Sequence, residues 1–208
     1  MADADTRDSY HHGNLAEALI AAAINSIDEH GYEQLSMREL AKQVGVSPGA
    51  PFRHFKNKTA LMTAIAEQAM ARFLKSVFDA VAKADPDDPI AGLEAIGQGY
   101  VDWALENPIH FRIISTRTII DFAASPKLQA DNDAVRDLMI KFFEAGLQSG
   151  RIAPDLSLET MLLAGRGLAY GLARMWSDGH FPEWHVKGEP RAKMQAAIRM
   201  FIQSLQRR

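Results

Sequence analysis

The sequence predicts an all-α fold, in which a small N-terminal three-helix head precedes a larger helical body. Apolar residues recur at intervals of three and four along most of the 208 residues, which is the spacing of amphipathic helices. β-Branched runs with the two-residue period of a strand are absent. Glycine and proline fall between the periodic segments, where helices are expected to end.

Composition limits the classes of protein that this chain can form. With 47% apolar and 24% charged residues, it matches ordinary globular domains. It contains no cysteine, which excludes disulfides and thiolate metal sites. Charged residues interrupt every apolar stretch before 18 residues, and the acidic N-terminus lacks the order of a signal peptide. We therefore expect a cytoplasmic protein with no membrane segment.

The first predicted helix follows a polar segment, residues 1–9, that we expect to be a disordered tail. Asn14 suits an N-cap, with Glu17 as its capping-box partner three residues later. His30-Gly31 is a typical helix stop. Between them an apolar stripe is expected to face inward: Leu15, Leu19, Ala22, Ala23 and Ile27.

Two short helices joined by a tight turn are predicted next. Ser36-x-x-Glu39 reads as a capping box, and Gly45 stands where a left-handed residue ends the first short helix. Ser47-Pro48 then provides a cap followed by proline at the first helical position. Two short helices joined by a glycine-containing turn of about three residues are the sequence form of a helix-turn-helix. We expect Pro51 to tighten or displace the first turn of the second helix, because it lacks an N–H.

Positive charge is concentrated on this segment, although the whole chain carries a net charge of −3. Residues 36–58 contain five basic residues and one acid, a formal charge of +4. A short helix can enter the major groove of DNA, with basic side chains reaching phosphates on either side. A basic cluster on a helix is also compatible with a simple solvated face. The caps and the glycine turn favour DNA binding.

Residues 10–65 resemble the DNA-binding head of the TetR family of bacterial transcriptional regulators, and the spacing of "GVSPGAPFRHFKNKTAL" fits without a gap. The matching residues are Tyr32, Leu35, Ser36, Arg38, Leu40, Ala41, Gly45, Val46, Ser47, Phe55, Lys58 and Leu61. "YHHGNL", "ALENPIHFRII" and "LAYGLA" further resemble a subgroup with a Trp-His-Gly motif in its C-terminal domain.

The resemblance implies which residues face DNA. They are Arg38, Ser47, Pro48, Gly49, Ala50, Phe52, Arg53, His54 and Lys58. Lys58 and His54 are expected on phosphates, whereas Arg38 and residues 47–50 would supply sequence choice. Phe52 stands where many members carry a tyrosine whose hydroxyl touches phosphate, so that contact is missing here.

The body is predicted to begin with a long helix that Asn57 caps and that runs from Lys58 to about Ala84. Asp85-Pro-Asp-Asp-Pro89 breaks it. The predicted domains are a head of residues 10–57 and a ligand-binding and dimerisation body of residues 58–208. Further helices are predicted at 90–106, 108–115, 116–123, 126–149, 157–178 and 190–206.

Two functions are expected of the body. The last two helices are candidates for a homodimer interface, with intramolecular packing as the alternative for the stripe of Met194, Ile198, Phe201 and Leu205. The family resemblance also implies a small-molecule effector and its pocket, and a ligand-released repressor that binds a palindromic double-stranded operator. The candidate ligand-binding residues are Trp103, His110, Phe111, Phe143, Arg166 and Tyr170.

Two other classes of protein are alternatives. Asp178, His180, Glu183 and His185 carry groups that can bind zinc or nickel, which is compatible with a metal-dependent enzyme, but no helical register orders them. A non-specific DNA-packaging protein would be strongly basic, which the net charge of −3 opposes. We expect no enzyme activity, no cofactor and no metal site.

Overall fold

The computed structural model describes residues 6–206 apart from residues 154 and 156, and the side chains from residue 15 onward. Within these residues the regular elements are helical, which confirms the predicted fold class. The α-helices are α1 (Thr6–His30), α2 (Met37–Gln43), α3 (Lys58–Val81), α4 (Pro89–Glu106), α5 (Pro108–Ser115), α6 (Pro126–Gln148), α7 (Leu158–Ser177), α8 (His180–Glu183) and α9 (Pro190–Ser204), with 3-10 turns η1 (Ala50–Arg53) and η2 (Arg117–Ile119).

The chain divides into two compact units. The head unit comprises the chain up to Ala69 together with Ile109–Ser125, and the body unit comprises Met70–Pro108 and the chain from Pro126 onward. Each unit therefore draws on segments that are distant in sequence. The predicted functional boundary between residues 57 and 58 stays a prediction.

In the head unit, α1 packs on α2, and α2 packs on η1. Leu19, Ala23 and Ile27 of the predicted stripe are buried. The N-cap predicted at Asn14 is wrong, because α1 already begins at Thr6, within the expected tail. A capping signature is worth only about 1 kcal/mol, and each residue added to an existing helix gains a backbone hydrogen bond.

The segment 109–125 is fastened to the first part of α3 by two side-chain hydrogen bonds within the head unit. The amide of Asp121 donates to Oγ1 of Thr63 at 2.9 Å, and the hydroxyl of Ser125 donates to the carboxylate of Glu67 at 2.7 Å. Residues 116–123 were predicted as a helix, but only Arg117–Ile119 is helical, as a 3-10 turn.

In the body unit, α4 is the central helix and packs on α6, α7 and α9. Its N-terminus is capped by Asp88, whose carboxylate accepts from the amides of Ile90 and Ala91 and pairs with Arg151. Gly97 and Gly99 allow close approach, since a Cβ at either position would overlap a neighbouring helix. The short α8 lies in a segment predicted as loop.

The ends of the elements follow local chemistry in most places. Gly31 and Gly45 adopt φ of 82° and 73°, which confirms them as left-handed helix stops. The side-chain oxygen of Asn57 accepts from the amide of Ala60, which confirms the cap of α3. Ser36 precedes α2 as predicted, but its side chain makes no capping hydrogen bond.

Among the helices in the described part of the chain, none combines the length and the apolar character that a membrane span requires.

Candidate nucleic-acid interface and effector site

The turn between α2 and η1 is built from local hydrogen bonds. At Gly45 the chain reverses in a Schellman motif: the amide of Val46 donates to the carbonyl of Ala41 at 2.9 Å, and that of Gly45 to Lys42 at 3.2 Å. This motif requires the positive φ that glycine adopts without steric cost. The chain thus leaves α2 and enters the second half of a helix-turn-helix.

The second half of the motif differs from its prediction. The prediction of an α-helix that starts at Ser47-Pro48 is wrong, because the chain forms a turn there and then the 3-10 turn η1. The physical reason is Pro51: in an α-helix its nitrogen would donate to Ser47, and it has no hydrogen to donate. Successive bonds instead span three residues, from Ala50 to Ser47 at 3.0 Å and from Phe52 to Gly49 at 3.3 Å. The first turn is therefore tightened, as expected.

One side of this motif is exposed and carries the residues that the family resemblance assigns to DNA. Those exposed are Arg38, Ser47, Pro48, Gly49, Phe52, Arg53 and His54, and Ala50 is half-buried. Pro51 and Phe55 of the same motif are buried. We call the exposed set, with Ala50, the recognition face. It combines cationic, small and apolar side chains over a short span, which suits contact with the major groove.

Lys58 differs from the other assigned residues because its ammonium already has partners. Nζ donates to the carbonyl of Tyr32 at 2.6 Å and lies 3.9 Å from the centroid of that ring. Burial lowers the pKa of Lys58, and the carboxylate of Glu33 opposes that shift. The side chain thereby fastens the loop after α1 to the start of α3. Because an ammonium has three N–H donors, its phosphate contact stays a prediction.

Arg38 lies in the first turn of α2 and is exposed on the recognition face. If it reads a guanine, we expect Arg38→Ala to cost about 1–3 kcal/mol of specific binding and much less on random duplex. Binding to both duplexes at one salt concentration measures this. Lys42→Ala, on an exposed residue one turn later, is the matched control and should change little. An equal loss on both duplexes would make Arg38 a phosphate contact.

Four of the candidate effector residues lie in the body unit, and the structure groups three of them around an aromatic cluster. The ring of Phe73 packs edge-on against Tyr100, with the centroids 5.2 Å apart, and at a tilt against Trp103, with the centroids 5.1 Å apart. The guanidinium of Arg166 donates to the hydroxyl of Tyr100 at 2.9 Å and lies 5.7 Å from the ring of Tyr170. Sequence reasoning left Tyr100 out of the candidate set, although its spacing of three from Trp103 on one helix was a usable signal.

The remaining candidates are placed elsewhere. Phe143 is buried on α6, where it lies beside Gly165 of α7. His110 and Phe111 are buried, but they belong to the segment 109–125 of the head unit. Their assignment to a ligand site stays a prediction.

The metal alternative has little geometric support. Among the side chains that the structure describes, no group of three or more histidines and acids is placed to hold a metal ion. The candidate groups instead pair locally: His180 lies 2.7 Å from the carboxylate of Glu183, and Arg174 donates to Asp178 at 2.6 Å.

The fold and the recognition face define the class of this molecule as a helix-turn-helix DNA-binding protein. Residues 19–65 match the model of bacterial regulatory proteins of the tetR family, and residues 93–201 match the tetracyclin repressor-like C-terminal domain. The chain belongs to the TetR family. It is a DNA-binding transcriptional regulator and not an enzyme. Membership of the Trp-His-Gly subgroup stays a prediction.

Two named regulators are similar to this chain over most of its length. The chain is 32% identical to the HTH-type transcriptional regulator BetI of Stenotrophomonas maltophilia over 78% of this chain and 80% of BetI. It is 28% identical to the HTH-type transcriptional repressor AcnR of Corynebacterium efficiens, over 72% of this chain and 75% of AcnR. A solved tetR-family regulatory protein from Rhodococcus RHA1 shares the fold, with a TM-score of 0.73 and 24% identity over 92% of this chain and 97% of that one.

Proposed function

We propose that the protein is a repressor that binds a palindromic operator as a homodimer and leaves it when an effector binds. The observation that carries the proposal is the pairing of an exposed recognition face with a second exposed surface, the apolar face of α7 and α9. One helix-turn-helix contacts only a few base pairs, so a twofold pair of them gains specificity by reading two half-sites one helical turn apart. Cytoplasmic localisation is part of this proposal.

The dimer proposal rests on residues other than the stripe named from the sequence. Met194, Ile198 and Leu205 are buried within the chain, which favours intramolecular packing for that stripe. By contrast, Leu163 of α7 is 74% exposed and Met200 of α9 is 68% exposed. Because α7 and α9 pack on each other, these side chains belong to neighbouring helices of one unit.

Small residues beside Leu163 and Met200 leave room for a second pair of helices. Ala164, Gly167 and Ala196 are exposed. A Cβ at Gly167 or at Gly171 would meet no atom within 4 Å. Such open positions permit close helix approach, as in helix pairs that pack through small residues. We call Leu163, Ala164, Gly167, Ala196 and Met200 the α7–α9 face, and infer that a second copy of the chain covers it in a four-helix interface.

The effector proposal rests on Arg166. Within the described residues Arg166 has no carboxylate partner, whereas Arg151 and Arg174 each pair with an aspartate. Burial raises the pKa of Tyr100 despite the opposing guanidinium, so the phenol stays protonated at neutral pH. A guanidinium binds carboxylates in two parallel hydrogen bonds, and the partly exposed ring of Tyr170 beside it suits an apolar tail. We therefore infer an effector that has an apolar or aromatic part and an anionic end.

An effector with an apolar part and an anionic end should be recognised by its carboxylate. Phenylacetate and octanoate should raise the melting temperature of the protein more than 2-phenylethanol and octanol do, because ligand binding stabilises the folded state by mass action. Arg166→Met should remove this preference for the carboxylates. Arg174→Met, on the same helix and already paired with Asp178, is the control and should keep it. If the wild type does not prefer carboxylates, the inferred anionic end is wrong.

Selection of bound duplexes from a random pool, at about 150 mM salt, tests the operator proposal. Enrichment of one palindrome, bound by two chains in a mass measurement on the complex, is the expected result. Enrichment of a single half-site bound by one chain would reject the dimer. No enrichment in the absence of added small molecules would reject ligand-released binding.

A further inference from the structure

We propose that Phe52 contacts the 5-methyl group of a thymine in the major groove, so that a thymine at one fixed place in each half-site is read by this ring. The inference rests on the operator binding proposed above. It adds a specificity-determining residue and the base that it selects.

The first observation is the exposure of a large apolar side chain on the recognition face. Phe52 is 47% exposed and makes no ring or cation–π contact with any residue that the structure describes. The adjacent Pro51 is buried, so the turn places one apolar side chain inside and the next outside. Leaving this much of a phenyl ring in water forgoes the stabilisation that burial would give. The ring therefore contributes less to folding than a fully buried phenylalanine would.

The second observation is the open space next to the ring. A 3-10 turn repeats every three residues, so Gly49 and Phe52 lie on the same side of η1. A Cβ built at Gly49 would meet no atom within 4 Å. With no side chain at Gly49 and only a methyl at Ala50, base edges can approach the ring without obstruction.

The third step is chemical. A phenyl ring has no hydrogen-bond donor or acceptor, so it gains little against a phosphate or the polar edge of a base. Among the groups that base pairs present in the major groove, the thymine methyl is the apolar one. Exposed Arg53 and His54 follow Phe52 directly in the chain and supply charge for the phosphates. Phe52 is therefore suited to contact a base, whereas Arg53 and His54 are suited to contact phosphates.

The test removes thymine methyl groups from the selected operator at one half-site position at a time. Each thymine of the enriched half-site is replaced by deoxyuridine, in both half-sites symmetrically, and affinity is measured by fluorescence anisotropy. For one thymine we expect wild-type binding to weaken about fourfold for each methyl, or roughly fifteenfold for the symmetric pair. Phe52→Ala should bind the thymine and uracil duplexes equally.

Two further variants separate this contact from general effects. Phe52→Leu keeps an apolar side chain and should retain part of the discrimination. Phe78→Ala, at a phenylalanine that is 45% exposed on α3, should retain all of it. The inference alone is overturned if a palindrome is enriched but no uracil substitution weakens wild-type binding, or if Phe52→Ala discriminates as well as the wild type. If no sequence is enriched, both the proposed operator and this inference are rejected.

Discussion

Replacing Gly99 with alanine is expected to lower the melting temperature of the protein by roughly 6–12 °C. A Cβ at this position would lie 2.7 Å from Cα of Val77 and 2.8 Å from the backbone oxygen of Ser76. Both atoms belong to the backbone of α3, so no side-chain rotation can relieve the overlap. Helices α3 and α4 would have to separate, and overpacking of this kind costs about 3 kcal/mol.

The loss would spread beyond the point of overlap. The hydroxyl of Ser76 donates to the carbonyl of Gly99 at 2.9 Å, and separation of the helices would stretch this bond. Phe73, one turn before Ser76, would also move away from Tyr100 and Trp103. We therefore expect Gly99→Ala to weaken the carboxylate preference inferred for the effector site as well as stability.

Gly165→Ala is the matched control, because it is the same change inside another helix of the body unit. Its new Cβ would meet Cε of Met139 and Cε1 of Phe201, each at 3.4 Å. The end of a methionine side chain can move by a few tenths of an ångström at little cost. Because alanine favours a helix over glycine by about 1 kcal/mol, this variant should be as stable as the wild type or more so. If both variants melt at the wild-type temperature, the close approach of α3 to α4 at Gly99 does not contribute measurably to stability.

Local sequence signals predicted the features of the fold that depend on a few neighbouring residues. The left-handed glycines and the cap at Asn57 were found because a positive φ or a side-chain cap is decided within one turn of chain. The same reasoning identified Pro51 as the source of a tightened turn. It did not show that the turn would replace the second α-helix altogether. Whether an α-helix or a 3-10 turn forms there also depends on the burial of Pro51 and Phe55.

Contacts between distant parts of the sequence could not be predicted in this way. The hydrogen bond between Arg166 and Tyr100 joins residues 66 positions apart, and no periodicity in either helix points to the other. The segment 109–125 belongs to the head unit for a similar reason, since its bonds to Thr63 and Glu67 span 58 residues. The predicted domain boundaries place this whole segment in the body, residues 58–208.

The apolar stripe of α9 shows a further limit. Helical spacing of apolar residues identifies a buried face, but it does not distinguish burial within the chain from burial by a second chain. Met194 and Ile198 satisfied the pattern and are buried within the chain. The candidate interface instead contains Leu163 and Met200, which stand next to apolar residues in the sequence but are exposed. Only their exposure in the folded chain separates them from the core.

Leu163→Glu is expected to convert the protein to a monomer and to reduce operator binding by at least about a hundredfold. In a twofold interface each substitution appears twice, so two carboxylates would be buried without partners. Burial of an unpaired charge costs several kcal/mol, which is enough to dissociate most dimers. Folding of the single chain should be unaffected, because Leu163 is 74% exposed there. Sedimentation should then give the 23.0 kDa of one chain instead of about twice that mass.

Phe78→Glu introduces the same charge at another exposed apolar position, outside the α7–α9 face, and should leave both mass and operator affinity unchanged. Met200→Glu should reproduce the effect of Leu163→Glu, because both side chains belong to the α7–α9 face. A Leu163→Glu protein that stays dimeric would show that another surface joins the two chains. A monomeric variant with full operator affinity would show that one recognition face is sufficient. The expected result is a folded monomer that has lost specific binding. It would show that operator recognition needs two chains joined through the α7–α9 face.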